Sequence, residues 1–330
     1  MKIIIPVAGA GTRLRPHTYT QPKPLIPLAG KTIISVIIDQ FLEAGCDEFI
    51  FIIGYLGEKI KNYINEKYPY IQADFITQEE RGGTGHAVFL CKEILHENEE
   101  VFIIYGDTVC DFPVQEFIEA PHSILGVKRV DDPRFFGVAE LDDNGKVKSV
   151  IEKPIIPKSN LALVGIYKIK ESKRLFEVMK EGLDSLGPNE EYPLTLAIDE
   201  MLKEKIHFEA VNVNNWFDCG KKETLLETNA TLLSKVEYSS KEIPFFDNTI
   251  IIHPVSIASG CSIENCIIGP NVTIDENSEI GASIISNSIV GSYSKIKNVV
   301  LDRSLIGSDA IISGKNQSLN VGDNTELDLS

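Results

Sequence analysis

The stretch that decides the reading of the first half of the chain is Lys2-Ile3-Ile4-Ile5-Pro6-Val7-Ala8-Gly9-Ala10-Gly11-Thr12-Arg13-Leu14. Its first part is short, β-branched and without helical period, the pattern of a buried β-strand. The glycines that follow turn the chain. Glycine lets the backbone come close to a bound group, and successive N–H groups form a nest for an anion. A dinucleotide loop would need Gly where Leu14 stands, and a Walker loop would need Gly-Lys before Ser or Thr. Neither fits, so the loop alone leaves a phosphate site and a purely structural turn both open.

The residues beyond the loop shift that balance. From Met1 to Ile38 there is no Asp or Glu, while Lys2, Arg13, Arg15, Lys23 and Lys31 all fall there, in a chain of net charge −16. A basic, Gly-rich segment inside an acidic protein reads as a local site for a small polyanion. In Gln21-Pro22-Lys23-Pro24-Leu25-Ile26-Pro27 the prolines are expected to hold Lys23 in an extended, rigid segment. A fixed ammonium and a guanidinium beside a Gly loop can stabilise charge on a reacting triphosphate.

The overall charge argues against nucleic acid or an anionic membrane as partner. No run approaches the roughly 18 apolar residues that span a bilayer, and the N-terminal apolar run is too short for a signal peptide. A cytoplasmic location is expected. The six cysteines form no CxxC pair and show no finger spacing, so they read as small packed hydrophobes.

The first 240 residues alternate β-branched runs with amphipathic stretches, which predicts an α/β domain with a Rossmann-like mixed sheet. Strands are expected at 2–7, 48–53, 73–77, 101–105, 123–130, 138–141, 147–151, 161–167 and 208–213. Helices are expected at 32–44, 58–67, 85–95, 171–180, 192–204 and 221–235. Residues 248–330 read differently. Aliphatic residues recur every six positions: Ile257 and Ile263; Ile268, Ile274 and Ile280; Ile284, Val290 and Ile296; Val300, Ile306 and Ile312. Each hexapeptide is one side of a triangular coil with its aliphatic residue inward. This resembles the left-handed parallel β-helix of hexapeptide-repeat proteins. A few coils with one histidine, His253, at their entry suggest an oligomerisation element rather than an acyltransferase.

Gly-x-Gly-Thr-Arg-Leu-x-Pro at 9–16 and Pro22-Lys23-Pro24-Leu25 together resemble the signature of the sugar-1-phosphate nucleotidyltransferase family. The resemblance continues through Gln78, Gly83-Thr84-Gly85-His86-Ala87, Tyr105-Gly106-Asp107, Phe136-Gly137-Val138, Glu152-Lys153-Pro154, Asn160-Leu161-Ala162 and Trp216-Phe217-Asp218-Cys219-Gly220. It covers nearly the whole chain and most resembles the long form of glucose-1-phosphate thymidylyltransferases. Pro6-Val7 departs from the usual Leu-Ala before the loop.

That resemblance implies residue roles. Arg13 and Lys23 would be catalytic. Ala8, Gly9, Gly11, Thr12, Gln78 and Gly83 would bind the nucleotide, and the amide of Gln78 suits the N3–H and O4 edge shared by uracil and thymine. Gly137, Glu152, Lys153, Asn160 and Val164 would bind the sugar phosphate, although Val164 reads equally as core. Asp107 and Asp218, each expected at the end of a strand of an open sheet, would hold Mg²⁺. The substrates would be dTTP and glucose 1-phosphate. A UTP-using enzyme acting on glucose or an N-acetylhexosamine 1-phosphate is the alternative. A non-catalytic regulatory relative would have lost the charged residues, which are all present.

Overall fold

The computed structural model describes residues 1–96, 99–187, 190–240 and 242–315. Two compact units divide between Thr228 and Asn229. Among the described residues no helix is long and apolar enough to cross a membrane.

The first unit is a mixed α/β sheet. Its elements in chain order are β1 (Lys2–Pro6), α1 (Ile33–Glu43), β2 (Glu48–Ile53), α2 (Gly57–Lys67), β3 (Gln72–Thr77), α3 (Gly83–Phe89) and β4 (Val101–Ile104). There follow β5 (Thr108–Cys110), α4 (Val114–Glu119), β6 (Ser123–Arg129), β7 (Gly137–Leu141), β8 (Val147–Glu152) and β9 (Leu161–Ile169). The last are α5 (Ser172–Asp184), α6 (Leu194–Lys203), β10 (Phe208–Asn212) and β11 (Trp216–Asp218), and the division between the units falls within α7 (Lys222–Leu233). The large sheet runs β8-β7-β9-β4-β1-β2-β3, with β6 paired to β9 and β10 to β6.

Ile3, Ile4 and Ile5 are all fully buried because β1 lies between two parallel neighbours, β2 and β4. A central parallel strand is covered on both faces and therefore reads as a continuous apolar run. Strand β9 turns the sheet antiparallel. Between β7 and β8, Asp142 accepts from the N–H groups of Asn144 and Lys146, and Gly145 takes φ +79°. Helix α1 starts where the Thr32 hydroxyl accepts from Ser35 N–H at 3.2 Å. Its Phe41 packs edge-on against Phe49 and Phe102. The helix expected over 85–95 is shorter and earlier, giving way to a 3₁₀ turn at Leu90–Glu93. Helix α4 is an addition to the elements read from the sequence.

The second unit is a left-handed parallel β-helix of three four-stranded sheets. Successive coils are in register at Ile250, Ile267, Ile284 and Val300 on one face, and at Ser262, Glu279, Lys295 and Ile311 on another. The corners explain the abundance of Asn. Asn248, Asn265, Ala282 and Asn298 stack at one corner with φ between +47° and +57°, a region that Asn tolerates better than most side chains. Two of the inward residues named above need correction. Ile285 is fully buried while Ile284 is 42% exposed, and Val300 is 74% exposed while Leu301 packs against the core. Adjacent strand residues point to opposite faces, and the later coils shorten by one residue, so the inward position slides.

Candidate active site

The loop after β1 is held by close approach. A Cβ on Gly54 would stand 2.8 Å from the Ala8 carbonyl oxygen, so only glycine lets the end of β2 pass there. Gly11 takes φ +60° and opens a 3₁₀ turn over Thr12–Leu14, with its carbonyl accepting from the Thr18 hydroxyl at 2.9 Å. A Cβ on Gly11 would lie 3.1 Å from Lys23 Cβ, so loop and lysine are packed together.

Lys23 is not in the extended segment expected of it. It begins a 3₁₀ turn, Lys23–Leu25, with Leu25 N–H donating to Pro22. Proline fixes φ near −65°, which suits such a turn as well as an extended chain. The turn buries the lysine to 8% exposure. Its ammonium lies 2.5 Å from Asp107 Oδ2 and 3.7 Å from Asp218 Oδ1, and Arg13 lies 3.4 Å from Asp218 Oδ2.

Asp218 ends a strand, but not one of the large sheet. β11 pairs antiparallel with β5 alone, with Asp218 opposite Thr108, and Cys219 N–H donates to the Asp107 carbonyl at 3.2 Å. This small ladder is what brings the two aspartates together. Gly220 completes the corner: a Cβ there would sit 2.8 Å from both Arg13 Nη2 and Asp218 Oδ1.

Asp218 Oδ1 is buried and has no hydrogen-bond partner among the described residues, with the Lys23 ammonium 3.7 Å away. A buried carboxylate oxygen left unbonded is costly, and a divalent cation beside Asp107 would satisfy it. Among the described residues no cluster of three or more ligating side chains exists. Two carboxylates side by side fit a divalent cation that keeps water and phosphate oxygens among its ligands.

Two cavities of about 650 and 670 Å³ open around these charges. The first is lined by Ala8, Gly9, Gly11, Thr12, Gln78 and Gly83, and the second by Gly137, Val164 and Asp218. Both share Arg13, Thr84, Tyr105, Asp107, Glu152 and Lys153, while Lys23 lines the first. Gln78 donates to the Gly83 carbonyl at 3.2 Å and lies 3.1 Å from His86 Nδ1. Gly83 takes φ +89°, and a Cβ there would meet the Tyr192 backbone at 2.8 Å. Glu152 accepts from the Thr195 hydroxyl at 2.8 Å and pairs with Lys153 at 3.5 Å.

Asn160 is the one predicted site residue that lines neither cavity. It is exposed, and its Oδ1 accepts from Arg129 at 2.8 Å. Its position just before β9 leaves it pinned to the end of β6 instead. Sequence reasoning missed Thr84, Tyr105, Thr195, Gly220 and Lys221. Thr84 and Gly220 stood inside quoted motifs, whereas Thr195 carries no local signal. Burial pushes the Tyr105 hydroxyl up to about 12, so it remains a neutral hydrogen-bonding group.

Residues 2–235 match the nucleotidyl transferase family, and residues 235–327 match the GlmU-like C-terminal hexapeptide family. This chain belongs to the nucleotidyl transferase family. A bifunctional protein GlmU of Methanocaldococcus jannaschii is 36% identical over 261 residues, 79% of this chain and 61% of that protein. This nucleotidyl transferase thus spans less than two thirds of that relative. A glucose-1-phosphate thymidylyltransferase of Streptomyces griseus is 29% identical over 93% of this chain and 92% of its own length. A solved UDP-glucose pyrophosphorylase complexed with UDP-glucose superposes with a TM-score of 0.62 and 25% identity, over 71% of this chain and 99% of that one. Sugar-1-phosphate nucleotidyl transfer is the activity these matches support.

Proposed function

We propose that the chain joins dTTP to glucose 1-phosphate, forming dTDP-glucose and pyrophosphate, with a catalytic domain over residues 1–240 and a repeat domain over 248–330, of which 316–330 lie outside the described residues. The observation that carries this reading is the meeting of the two cavities at Arg13, Asp107, Glu152 and Lys153. One cavity takes the nucleotide and the other the sugar phosphate, so the reacting groups meet where the charges stand.

A phosphate oxygen of the sugar 1-phosphate attacks the α-phosphorus in line. The bond from the α-phosphorus to the bridging oxygen breaks, and pyrophosphate leaves with that electron pair. The attacking oxygen is already anionic, so no residue need remove a proton. Arg13 and Lys23 neutralise charge as the leaving group forms. The backbone of Ala8, Gly9, Gly11 and Thr12 cradles the phosphates, while Gln78 and Gly83 read the base. Glu152 accepts from sugar hydroxyls and Lys153 faces the sugar phosphate, with Gly137 and Val164 beneath them. Asp107 and Asp218 would hold Mg²⁺, which when bound neutralises phosphate oxygens and fixes the two substrates relative to each other.

UTP is the second reading, favoured by the likeness to a UDP-glucose pyrophosphorylase complexed with UDP-glucose. The Gln78 edge suits both bases. Pyrophosphate release measured across dTTP, UTP, CTP, ATP and GTP with several hexose 1-phosphates tests both. Turnover only with a purine triphosphate would overturn them.

The repeat domain carries the proposed self-association. One of its faces bears a charged ladder in which Lys295 pairs with Glu279 at 2.8 Å. Another bears Ile250, Ile267, Ile284 and Val300 in register, beside the exposed Phe245, in a groove with no charged residue among its described lining. In a chain of net charge −16, a second copy meets least repulsion at such a strip.

A further inference from the structure

Three of the cations at the site are already engaged. Lys23 is paired with Asp107 and Asp218, Arg13 with Asp218, and Lys153 with Glu152 at 3.5 Å. The second cavity is lined by one more cation, Lys221. Its ammonium forms no ion pair or hydrogen bond with any described residue, and the residue is exposed where it lines the cavity.

Its backbone, by contrast, is fixed. The Thr224 hydroxyl donates to the Asp218 carbonyl at 2.7 Å and lies 3.1 Å from the Lys221 carbonyl, and Lys221 N–H points at the same hydroxyl at 3.4 Å. One threonine thus ties Lys221 to the aspartate at the junction of the cavities, just before the first turn of α7. A lysine with a clamped backbone and an unengaged ammonium, facing a cavity whose other charges are paired, is disposed to meet an incoming anion.

We propose that Lys221 is a binding residue for the phosphate of the sugar 1-phosphate, holding it at the mouth of the second cavity before Lys153 releases Glu152. This rests on the proposed function of the same site. The phosphate monoester carries close to two negative charges at neutral pH, since its second pKa is about 6. The engaged pairs leave that charge without a free counterpart, and Lys221 supplies one as a point charge on a flexible stem. The nucleoside triphosphate, on the Gly-loop side, does not need it.

The test is initial-rate kinetics on the full-length chain with glucose 1-phosphate varied at saturating triphosphate, and the reverse. Wild-type turnover is measured first; none with any triphosphate and hexose 1-phosphate overturns the proposed function itself. Given wild-type turnover, Lys221→Met should raise KM for glucose 1-phosphate about tenfold, leaving KM for the triphosphate within about twofold. Lys221→Arg should recover most of the loss, and inorganic phosphate should inhibit the Met variant less than wild type. An unchanged KM for glucose 1-phosphate in a Met variant with wild-type Tm overturns the proposal. So does an equal rise in both KM values that Arg does not correct, which would mark a structural role. A Met variant that fails to fold would transfer the decision to Lys221→Gln and to the Arg variant under the same criteria.

Discussion

The ammonium of Lys23 stands 2.5 Å from the carboxylate of Asp107, although eighty-four positions separate them in the chain. Burying an ion pair is costly, and breaking one by removing a single partner leaves the other charge stranded. Here the pair lies at the edge of the space where a triphosphate would sit.

Lys23→Ala is expected to lower kcat far more than it raises KM, because the charge matters most as the leaving group forms. Losing one such contact costs roughly 2.7–4 kcal/mol of barrier. Single-turnover kinetics check this, and a kcat within about threefold of wild type would remove Lys23 from the reaction.

Asp107→Asn and Asp218→Asn should each raise the Mg²⁺ concentration needed for half-maximal rate. Because both would face one ion, the double variant should be less impaired than the product of the two single effects. Metal titrations of the three variants decide the matter; wild-type titration curves in both singles would defeat the assignment.

Gly220→Ala places a methyl group 2.8 Å from Arg13 Nη2 and Asp218 Oδ1. The guanidinium must move, so kcat/KM should fall by at least about tenfold while Tm changes little. Thermal unfolding beside kinetics separates the two, and an unimpaired Ala variant would show that Arg13 is free to shift.

Ile284→Lys puts a charge in the middle of the apolar ladder without touching the coil interior. The variant should elute as a smaller assembly than wild type, and light scattering on both reads the mass. Equal masses would mean that this face does not join copies.

Burial raises the thiols of Cys91 and Cys110 well above the ordinary range, and that of Cys219 to about 12. As the thiolate is the reactive form, native protein at neutral pH should react slowly with a thiol reagent at these three positions. Mass spectrometry after alkylation, with and without denaturant, would expose any fast site among them.

Much of this was legible in the sequence. β1 announced itself through three isoleucines that only a doubly covered strand would carry, and the hexad spacing announced the coils. What escaped has physical reasons. Ile284 and Val300 each have an aliphatic neighbour, so periodicity alone could not choose which faces inward. The prolines around Lys23 limit φ but not ψ, and both an extended segment and a tight turn obey them. Asn160 lay in a quoted motif, yet its side chain answers to Arg129 on a neighbouring strand, a pairing no local pattern records. Thr195 reaches Glu152 only because α6 packs beside β8, so its role is a property of the tertiary structure.

The short ladder between β5 and β11 also places the second aspartate of the pair late in the chain. During synthesis the Gly loop, Lys23 and Asp107 all emerge early, but their second aspartate arrives only with the last strand of the unit. A nascent chain that has not yet delivered Trp216–Asp218 lacks half of its carboxylate pair, however well the rest has folded. Under the proposed reading, a chain that ends before Trp216 should show no turnover, since it lacks one of its two carboxylates.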